Sequence, residues 1–234
     1  MSQAEFDNYA TSYDSDLARS LAVTGENRDF YARARIKWTS QCVAKLRWPV
    51  RTILDYGCGT GTNSPILASE FRAHHVLGVD VSGLSIAQAR QAGYGAEVSF
   101  LETKDWAPDG TVDLAFTNGV FHHIPPSMRQ ESLATIRHAL CVGGLFAFWE
   151  NNPWNLGTRY IMSQCAFDEN AITITPREAR GMLVKAGFSV LRTDSLFYFP
   201  RRLKLFRPLE SWLRGLPFGG QYQVLCRNSL VDRS

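Results

Sequence analysis

Short apolar runs alternate with amphipathic stretches along this chain, a pattern typical of a sheet whose parallel strands are joined by helices. The first run covers residues 53–55, a helical stretch follows over 62–71, and a second run over 76–79 ends at Asp80. Together they predict one strand-helix-strand unit. The alternation continues to the end of the chain and indicates seven strands in total. The five further strands are predicted at residues 96–101, 113–118, 145–149, 188–199 and 221–227.

Capping residues mark the helices between these strands. Ser82 is a suitable N-cap for a helix that runs to Gln91. An amphipathic pattern over residues 126–140 stops at two glycines. The segment 175–178 combines a threonine N-cap, a first-turn proline and a capping acid, which predicts another helix start. Helical sequence also precedes the first strand and ends near Leu46.

The composition fits a single domain of ordinary size. The chain has 234 residues, of which 45% are apolar, enough to bury a sizeable core. Its five cysteines are odd in number and lack the spacing of a zinc site, so we expect reduced thiols. A net charge of +3 is too small to indicate a nucleic-acid partner. The acidic, polar residues 1–16 and the lack of a long apolar run favour a cytoplasmic location.

Gly57, Gly59 and Gly61 follow the first predicted strand at alternate positions. Glycines let a backbone approach a bound ligand closely, at the edge of the sheet where such folds bind nucleotides. Dinucleotide-binding folds need their third glycine one residue later, and Asp55 would repel a diphosphate but attract a cationic group. Asp80 lies about twenty residues beyond the glycines, where a carboxylate reaches a ribose. These residues indicate a cationic ligand that carries a ribose.

The stretch from Asp55 to Gly61, together with Asp80, resembles the first motif and the second acidic position of the class I S-adenosylmethionine-dependent methyltransferases. The resemblance is strongest over residues 50–150. It implies an α/β, Rossmann-like fold with a seven-stranded, mostly parallel sheet flanked by helices, and S-adenosyl-L-methionine as the cofactor. It also implies a mobile N-terminal helical cap. We expect a single methyltransferase domain, with a cap over 1–48, a cofactor-binding core over 49–150, and acceptor-side insertions and the last strands over 151–234.

The resemblance assigns further residues to the cofactor. In the loop after the third strand it suggests Asp105 for the adenine amino group and Trp106 for the ring, while Glu102 competes for the first role. The alternatives are a solvated acid and a core tryptophan. Two cap residues are implied to contact the cofactor as well, unless they only pack the cap or face water. The full predicted set is Asp55, Gly57, Gly59, Gly61, Asp80, Asp105, Trp106, Asn118, Tyr13 and Arg35.

Two adjacent histidines follow the fourth predicted strand at the ligand-binding edge of the sheet. A neutral imidazole can accept the proton of an acceptor hydroxyl or amine at cytoplasmic pH. The resemblance suggests that the second residue of such a pair points at the acceptor, so we favour His123 as the catalytic base over His122. A structural, hydrogen-bonded role is the alternative for each histidine.

The same segment argues against a magnesium site. Relatives that methylate ubiquinone precursors carry Glu-x-x-Glu-His where this chain has Gly119, His122 and His123. Both carboxylates are missing, and magnesium prefers oxygen ligands. We therefore predict no metal, although another metal held by the two histidines remains open.

The acceptor is expected beyond the fifth strand. Glu150, Asn152 and Trp154 form a polar and aromatic cluster there and are candidate acceptor contacts, unless they are ordinary turn residues. The long connection over 156–175 is expected to cover part of the pocket. Basic and bulky apolar residues interleave over 201–216 and predict a short amphipathic helix. This helix would contact anionic lipid, roof an apolar acceptor, or pack on the sheet with its arginines in water.

The function that these observations favour is methyl transfer from S-adenosylmethionine to an oxygen or nitrogen of a small or lipid-linked acceptor. Two alternatives stay open. One is an NAD(P)-dependent oxidoreductase, disfavoured by the glycine spacing and by the lack of a tyrosine-lysine pair placed for hydride chemistry. The other is a non-catalytic scaffold that binds the cofactor or is recruited to a membrane. The sequence fixes neither the acceptor nor the oligomeric state.

Overall fold

Seven strands form one sheet in a computed structural model of the protein, which describes residues 19–229. All structural statements below concern these residues. The strands are β1 (Thr52–Tyr56), β2 (His75–Asp80), β3 (Val98–Glu102), β4 (Val112–Asn118), β5 (Leu140–Asn151), β6 (Phe188–Leu196) and β7 (Gln221–Asn228).

The strand order is β3-β2-β1-β4-β5-β7-β6. Strands β1 to β5 pair in parallel, whereas β7 runs antiparallel between β5 and β6. This arrangement confirms the predicted mostly parallel, seven-stranded sheet. The order reverses between β1 and β4, the position where open α/β sheets leave a crevice for ligands.

Helices connect the strands and cover both faces of the sheet. The α-helices are α1 (Arg28–Lys45), α2 (Ser64–Phe71), α3 (Gly83–Gln91), α4 (Arg129–Ala139), α5 (Leu156–Ser163), α6 (Pro176–Lys185) and α7 (Glu210–Leu213). Short 3₁₀ helices lie at Ala22–Thr24, Thr103–Asp105, Ala166–Asp168 and Arg201–Leu209. The predicted caps form: Ser82 accepts a hydrogen bond from Ser85 N, and Thr175 with Glu178 makes a capping box.

The central strand β5 is longer than its apolar run predicts. We expected it to begin at residue 145, because two glycines interrupt the pattern, but Leu140 already pairs with Val112 of β4. Residues 145–149 are fully buried and alternate between the two faces of the sheet. Phe146 and Phe148 face α4 and α6, whereas Leu145, Ala147 and Trp149 face α1 and α2.

Helix α1 packs against the sheet as a fixed part of the core. Ile36 and Val43 are buried with strand residues, and the indole N–H of Trp38 donates to Asp194 at 3.2 Å. The hydroxyl of Thr39 donates to Gln223 at 2.6 Å and accepts from the indole of Trp149 at 3.0 Å. The part of the predicted cap that precedes residue 19 lies outside the described residues.

The segment 201–213 differs from the predicted amphipathic helix. It forms the 3₁₀ helix Arg201–Leu209, with a kink at Leu203, and then the single turn α7. None of its residues is buried, so the segment does not pack an apolar face on the sheet. Across residues 19–229, no helix is both long enough and apolar enough to cross a membrane.

Candidate active site

The glycine loop, residues 57–61, follows β1 and turns into α2. Its three glycines all have positive φ, at 74°, 55° and 80°, in the left-handed region that other residues rarely adopt. A Cβ on Gly57 would lie 2.5 Å from Val120, and one on Gly61 would lie 2.6 Å from Phe100. A Cβ on Gly59 would meet no atom within 4 Å. Gly59 therefore borders open space, as a backbone does where it receives a ligand.

Asp80 anchors the glycine loop at the end of β2. One carboxylate oxygen accepts from Gly59 N at 2.8 Å, and the other accepts from Ser82 N at 2.9 Å. The backbone N–H groups of Gly57 and Cys58 both donate to the carbonyl of Val79. These bonds fix the loop across the β1–β2 edge, where Asp80 is half-buried.

Asp55 lies behind the glycine loop. Its carboxyl group is 1% exposed and accepts from the Ser64 hydroxyl at 2.8 Å, so it links β1 to the first turn of α2. Burial raises the pKa of Asp55 to about 7, the Ser64 hydrogen bond opposes the rise, and the charge of Asp80 adds to it. Asp55 therefore lies on the buried side of the glycine loop, behind the surface that a ligand would touch.

The histidine loop, residues 119–123, follows β4 beside the glycine loop. The buried Glu150 carboxylate at the end of β5 holds it, since one oxygen accepts from Phe121 N at 2.7 Å and from His122 N at 3.3 Å. The other oxygen lies 2.5 Å from His122 Nδ1. The sequence predicts that Glu150 contacts the acceptor, but both of its carboxylate oxygens are engaged in these internal hydrogen bonds.

Asp168 brings the two imidazoles together. Its Oδ1 lies 3.3 Å from His122 Nε2 and 3.4 Å from His123 Nε2, and the ring centroids are 4.0 Å apart. All three side chains are at most 8% exposed. We call His122, His123, Glu150 and Asp168 the histidine cluster. The Asp168 contacts are possible because the 3₁₀ turn Ala166–Asp168 folds over the histidine loop.

The two histidines of the cluster have opposite pKa shifts. Burial would lower the pKa of His122, but the charge of Glu150 and hydrogen bonds with Asp168 and Glu150 outweigh it and raise the pKa to about 10. Burial, reinforced by the charge on His122, lowers the pKa of His123 to about 2. The cluster therefore holds one imidazolium, at His122, and one neutral imidazole, at His123, at physiological pH.

A cavity of about 580 Å³ joins the glycine loop to the histidine loop. Its polar end is formed by Gly57, Gly59, Asn63, Asn118 and the histidine cluster residues His122, His123 and Asp168. Its other end is mainly aromatic and apolar, with Phe30 and Tyr31 of α1, Ile161 and Met162 of α5, and the strand-end segment 197–200. Such a cavity has room for a nucleoside and a small second molecule side by side.

Two further predicted cofactor residues lie at this cavity. Asn118 lines it, and the Asn118 side-chain carbonyl is buried and accepts no hydrogen bond from the described residues. A buried acceptor without a donor costs about 1–3 kcal/mol, so it is a natural contact for a ligand N–H. Arg35 also lines the cavity, and its guanidinium donates to Gln221 at 2.7 Å.

Other predicted site residues lie away from the cavity. Asp105 is exposed, and Trp106 packs edge-on against Tyr56 at a centroid distance of 6.4 Å. Asn152 is fully buried and donates to the backbone carbonyls of residues 217 and 219, while Trp154 is 46% exposed. Asp55, Gly61, Asp80, Glu150 and these four residues are absent from the cavity wall. Tyr13 lies outside the described residues.

Sequence reasoning missed two parts of the cavity wall. Asp168 was assigned only to a covering connection, and residues 197–199 were predicted to be the end of the sixth strand, which stops at Leu196. The only sequence signal for Asp168 is its place in an insertion after β5. A carboxylate 45 residues from its histidine partner has no local pattern that would identify it.

The histidine cluster has the donor types of a metal site. Ligand atoms of His122, His123 and Asp168 lie within 4.8 Å of one another. Although the two histidines are adjacent in sequence, both Nε2 atoms lie near one carboxylate oxygen of Asp168. However, both nitrogens of His122 face carboxylate oxygens, as in a doubly protonated ring, whereas a metal ligand needs a free lone pair.

The fold and the glycine loop define a nucleotide-binding α/β protein, and comparisons with known proteins narrow this class. Residues 53–144 match the family model of a methyltransferase domain. A trans-aconitate 2-methyltransferase from Rhodopseudomonas palustris is 29% identical over 141 residues, which are 58% of this chain and 54% of that protein. One from Escherichia coli O1:K1 is 27% identical over 52% of this chain and 47% of its own length. The chain thus spans about half the length of these curated relatives.

A solved structure shares almost the whole fold. It is described as an S-adenosylmethionine-dependent methyltransferase, possibly a histamine N-methyltransferase, from Thermotoga maritima. It covers 97% of this chain and 99% of its own, with a TM-score of 0.67 at 17% identity. The matched domain, the glycine loop and the shared fold together support a class I S-adenosylmethionine-dependent methyltransferase.

Proposed function

We propose that this protein transfers a methyl group from S-adenosylmethionine to an oxygen or nitrogen of a small or lipid-linked acceptor. The observation that carries the proposal is that the glycine loop and the histidine cluster line one cavity. A cofactor on the first would present its methyl group toward an acceptor beside the second. Holding the two reactants in line supplies much of the rate in such a displacement.

The glycine loop and its neighbours fit the cofactor. Gly59 leaves room for a ligand against its backbone, and Asn118 offers a buried carbonyl that can accept from an ammonium or an amide. Asp80 remains the proposed ribose contact, since its carboxylate oxygens have second lone pairs beyond their present bonds to Gly59 and Ser82. Asp55 lies behind the loop and, in its ionised form, favours a cationic ligand, which would in turn lower its raised pKa.

His123 is the proposed proton acceptor. It is neutral, so one of its ring nitrogens carries a lone pair over the whole physiological pH range. A methylated hydroxyl oxygen is strongly acidic, so even a base of low pKa takes its proton. The Asp168 carboxylate lies 3.4 Å from His123 Nε2, where it can pair with the imidazolium that forms when the ring takes this proton. Asp168 and His122 are thus positioning residues, which hold the ring and stabilise the proton once it has moved.

The acceptor end of the cavity supports a small or lipid-linked acceptor with an apolar body. Phe30, Tyr31 and the segment 197–200 offer aromatic surface, while His123 offers a polar contact at one point. The curated relatives are named for a small acceptor, trans-aconitate, which supports a small-molecule acceptor class. A cytoplasmic location stays part of the proposal.

Calorimetric titration with S-adenosylmethionine, S-adenosylhomocysteine and NADH tests the cofactor assignment. Gly59→Ala is the test variant, because its methyl group enters open space in the cavity without a clash in the free protein. Gly93→Ala is its matched control, since Gly93 also has a positive φ, also borders open space and lies after α3, away from the cavity. Both variants carry a similar backbone strain of about 1–2 kcal/mol.

We expect the first two ligands to bind the wild type and Gly93→Ala equally, and Gly59→Ala at least tenfold more weakly. Binding of NADH alone would favour the oxidoreductase alternative. Binding of none of the three would overturn the proposal. Binding without methyl transfer to any acceptor in a screen with labelled cofactor would favour the scaffold alternative.

A further inference from the structure

The segment 201–218 exposes an unusual amount of apolar surface; we call it the docking face. Seven large apolar side chains within it are between 44% and 88% exposed. The largest fractions belong to Leu205, at 86%, and Trp212, at 88%. Contiguous exposed apolar patches on a soluble domain mark contact sites. The seven residues are Leu203, Leu205, Phe206, Leu209, Trp212, Leu216 and Phe218.

The docking face is held in place by its polar groups. The Glu210 carboxylate accepts from the backbone N–H groups of Tyr198 and Phe199 at 3.1 and 3.0 Å. The Tyr198 hydroxyl donates to the carbonyl of Leu213 at 2.6 Å, and the backbone N–H of Ser195 donates to the backbone carbonyl of Arg214 at 2.8 Å. The backbone is therefore anchored to the end of β6, while the seven apolar side chains stay between 44% and 88% exposed. This is the geometry of a preformed contact surface.

The exposed charges of the docking face are positive. Residues 201–218 contain five basic side chains, of which Arg207 pairs with Glu26 and Arg214 lies over Trp38. The single acid, Glu210, is turned inward to the backbone. Arg201, Arg202 and Lys204 are exposed beside the most exposed leucine. Apolar side chains interleaved with exposed cations match the acyl and headgroup layers of an anionic membrane surface.

A second exposed stretch continues this surface. Leu156 and Tyr160 lie one turn apart on α5 and are 76% and 56% exposed. Asn155, the N-cap of α5, donates to the carbonyl of Phe218 at 2.8 Å and so joins the two stretches. The cavity extends to the same region, because Asn155, Tyr160, Arg207 and Glu210 line its wall.

We propose that the docking face binds the surface of an anionic lipid bilayer, with Leu205 and Trp212 entering the interface and Arg201, Arg202 and Lys204 contacting headgroups. The cavity would then open at the membrane surface. If the proposed methyl transfer holds, this favours a lipid-linked acceptor over a water-soluble one. The membrane contact itself rests on the surface alone and is tested without any acceptor.

Vesicle flotation of the full chain tests the proposal. The vesicles contain phosphatidylcholine alone or equal amounts of phosphatidylcholine and phosphatidylglycerol, at low and high salt. One variant, Leu205→Ser with Trp212→Ser, removes the apolar contacts, and another, Arg202→Glu with Lys204→Glu, reverses two charges. Both pairs are surface positions outside the core, so the fold is expected to persist.

Matched controls carry the same substitutions elsewhere. Val142→Ser with Val184→Ser alters two apolar residues that are 61% and 59% exposed outside the docking face. Arg177→Glu with Lys185→Glu reverses two exposed charges on α6. Titration of every variant with S-adenosylmethionine on the same samples separates a failure of membrane binding from a failure of the proposed function.

We expect the wild type and both controls to float with the anionic vesicles, and less at high salt. Each docking-face variant should lose binding by roughly tenfold or more. Lack of flotation at low salt would overturn the proposal, as would equal binding by the docking-face variants and their controls. A wild-type dimer in solution that Leu205→Ser with Trp212→Ser dissociates would assign the face to a second copy of the chain instead.

Discussion

The glycine loop and the histidine loop follow neighbouring parallel strands and line the same cavity, yet different interactions hold them in place. The first is shaped by three left-handed glycines and by backbone bonds to Val79. The second is held by buried charge, through Glu150 on one side of His122 and Asp168 on the other. The glycine loop is thus determined by consecutive residues, whereas the histidine loop depends on charged residues from distant segments of the chain.

The two loops are therefore sensitive to different substitutions. A glycine loop resists substitution because Gly57 and Gly61 leave no room for a side chain. The histidine loop resists the loss of one charge, because the partner charge would then be buried alone. The predictions below test this contrast, beginning with the largest expected effect.

Removing the proposed base should have the largest effect. We expect His123→Ala to lower kcat by roughly 10²- to 10⁴-fold while the affinity for S-adenosylmethionine stays unchanged, because His123 acts on the acceptor. Since the pKa of His123 is lowered, the wild-type pH-rate profile should show no inflection near the ordinary histidine value of 6.5. Methyl transfer to an acceptor found by screening measures both. A loss below about tenfold would show that His123 is not the base.

Removing the imidazolium of His122 should destabilise the histidine loop. His122→Ala leaves the Glu150 carboxylate buried without its cation, at a cost of about 3–5 kcal/mol in the free energy of unfolding. Urea denaturation at neutral pH measures this loss. His138→Ala removes an exposed histidine from α4 and should change stability by less than about 0.5 kcal/mol. Equal stability of the two variants would contradict the charge-based account of the histidine loop.

Asp55 gives the glycine loop a pH dependence of its own. Its folded-state pKa of about 7 lies above the ordinary value of 3.8, so the folded protein binds more protons than the unfolded chain between these values. This stabilising contribution is fully present below pH 3.8 and is lost as the pH rises through 7. Asp55→Asn stays neutral and can still accept from Ser64. We therefore expect it to exceed the wild type in stability by roughly 2–4 kcal/mol above pH 7.

Urea denaturation of both proteins over that pH range measures the difference. The two curves should converge at low pH, where the wild-type carboxyl group is protonated in both states. A constant difference at every pH would mean that Asp55 does not titrate in this range, and that backbone geometry alone holds the glycine loop.

Metal removal should have the smallest effect. Both ring nitrogens of His122 face carboxylates, so we expect a chelator to leave methyl transfer and thermal stability unchanged. Activity assays and thermal melts before and after dialysis against the chelator check this. A loss of activity that added zinc or manganese restores would reassign the histidine cluster to metal binding.

The same contrast explains how much the sequence could predict. The strands, their mostly parallel order and the glycine loop follow local patterns: an apolar run, alternate glycines, and an acid at the end of the next strand. The start of β5 was misplaced because Gly143 and Gly144 interrupt its apolar run, although Leu140 already pairs with β4.

The acceptor end could not be predicted in the same way. Glu150 was recognised as a site residue, but its partner His122 lies 28 residues away and is found only in the folded chain. Asp168 and the segment 197–200 reach the cavity because an insertion and the end of β6 fold over it. The docking face was recognised as basic and apolar, but only its exposure distinguishes a contact surface from a packed helix.

The hydrogen bonds of helix α1 also determine where the chain can be cut. A fragment that began at residue 49 would retain the whole segment matched by the methyltransferase family, residues 53–144. It would also leave the indole of Trp149 and the amide of Gln223 without the Thr39 hydroxyl that both now use. Loss of α1 would also expose the apolar face of the sheet that this helix now covers, at a cost of about 25 cal/mol per Å² of apolar surface. We therefore expect a stable fragment to be longer than the matched segment and to include helix α1.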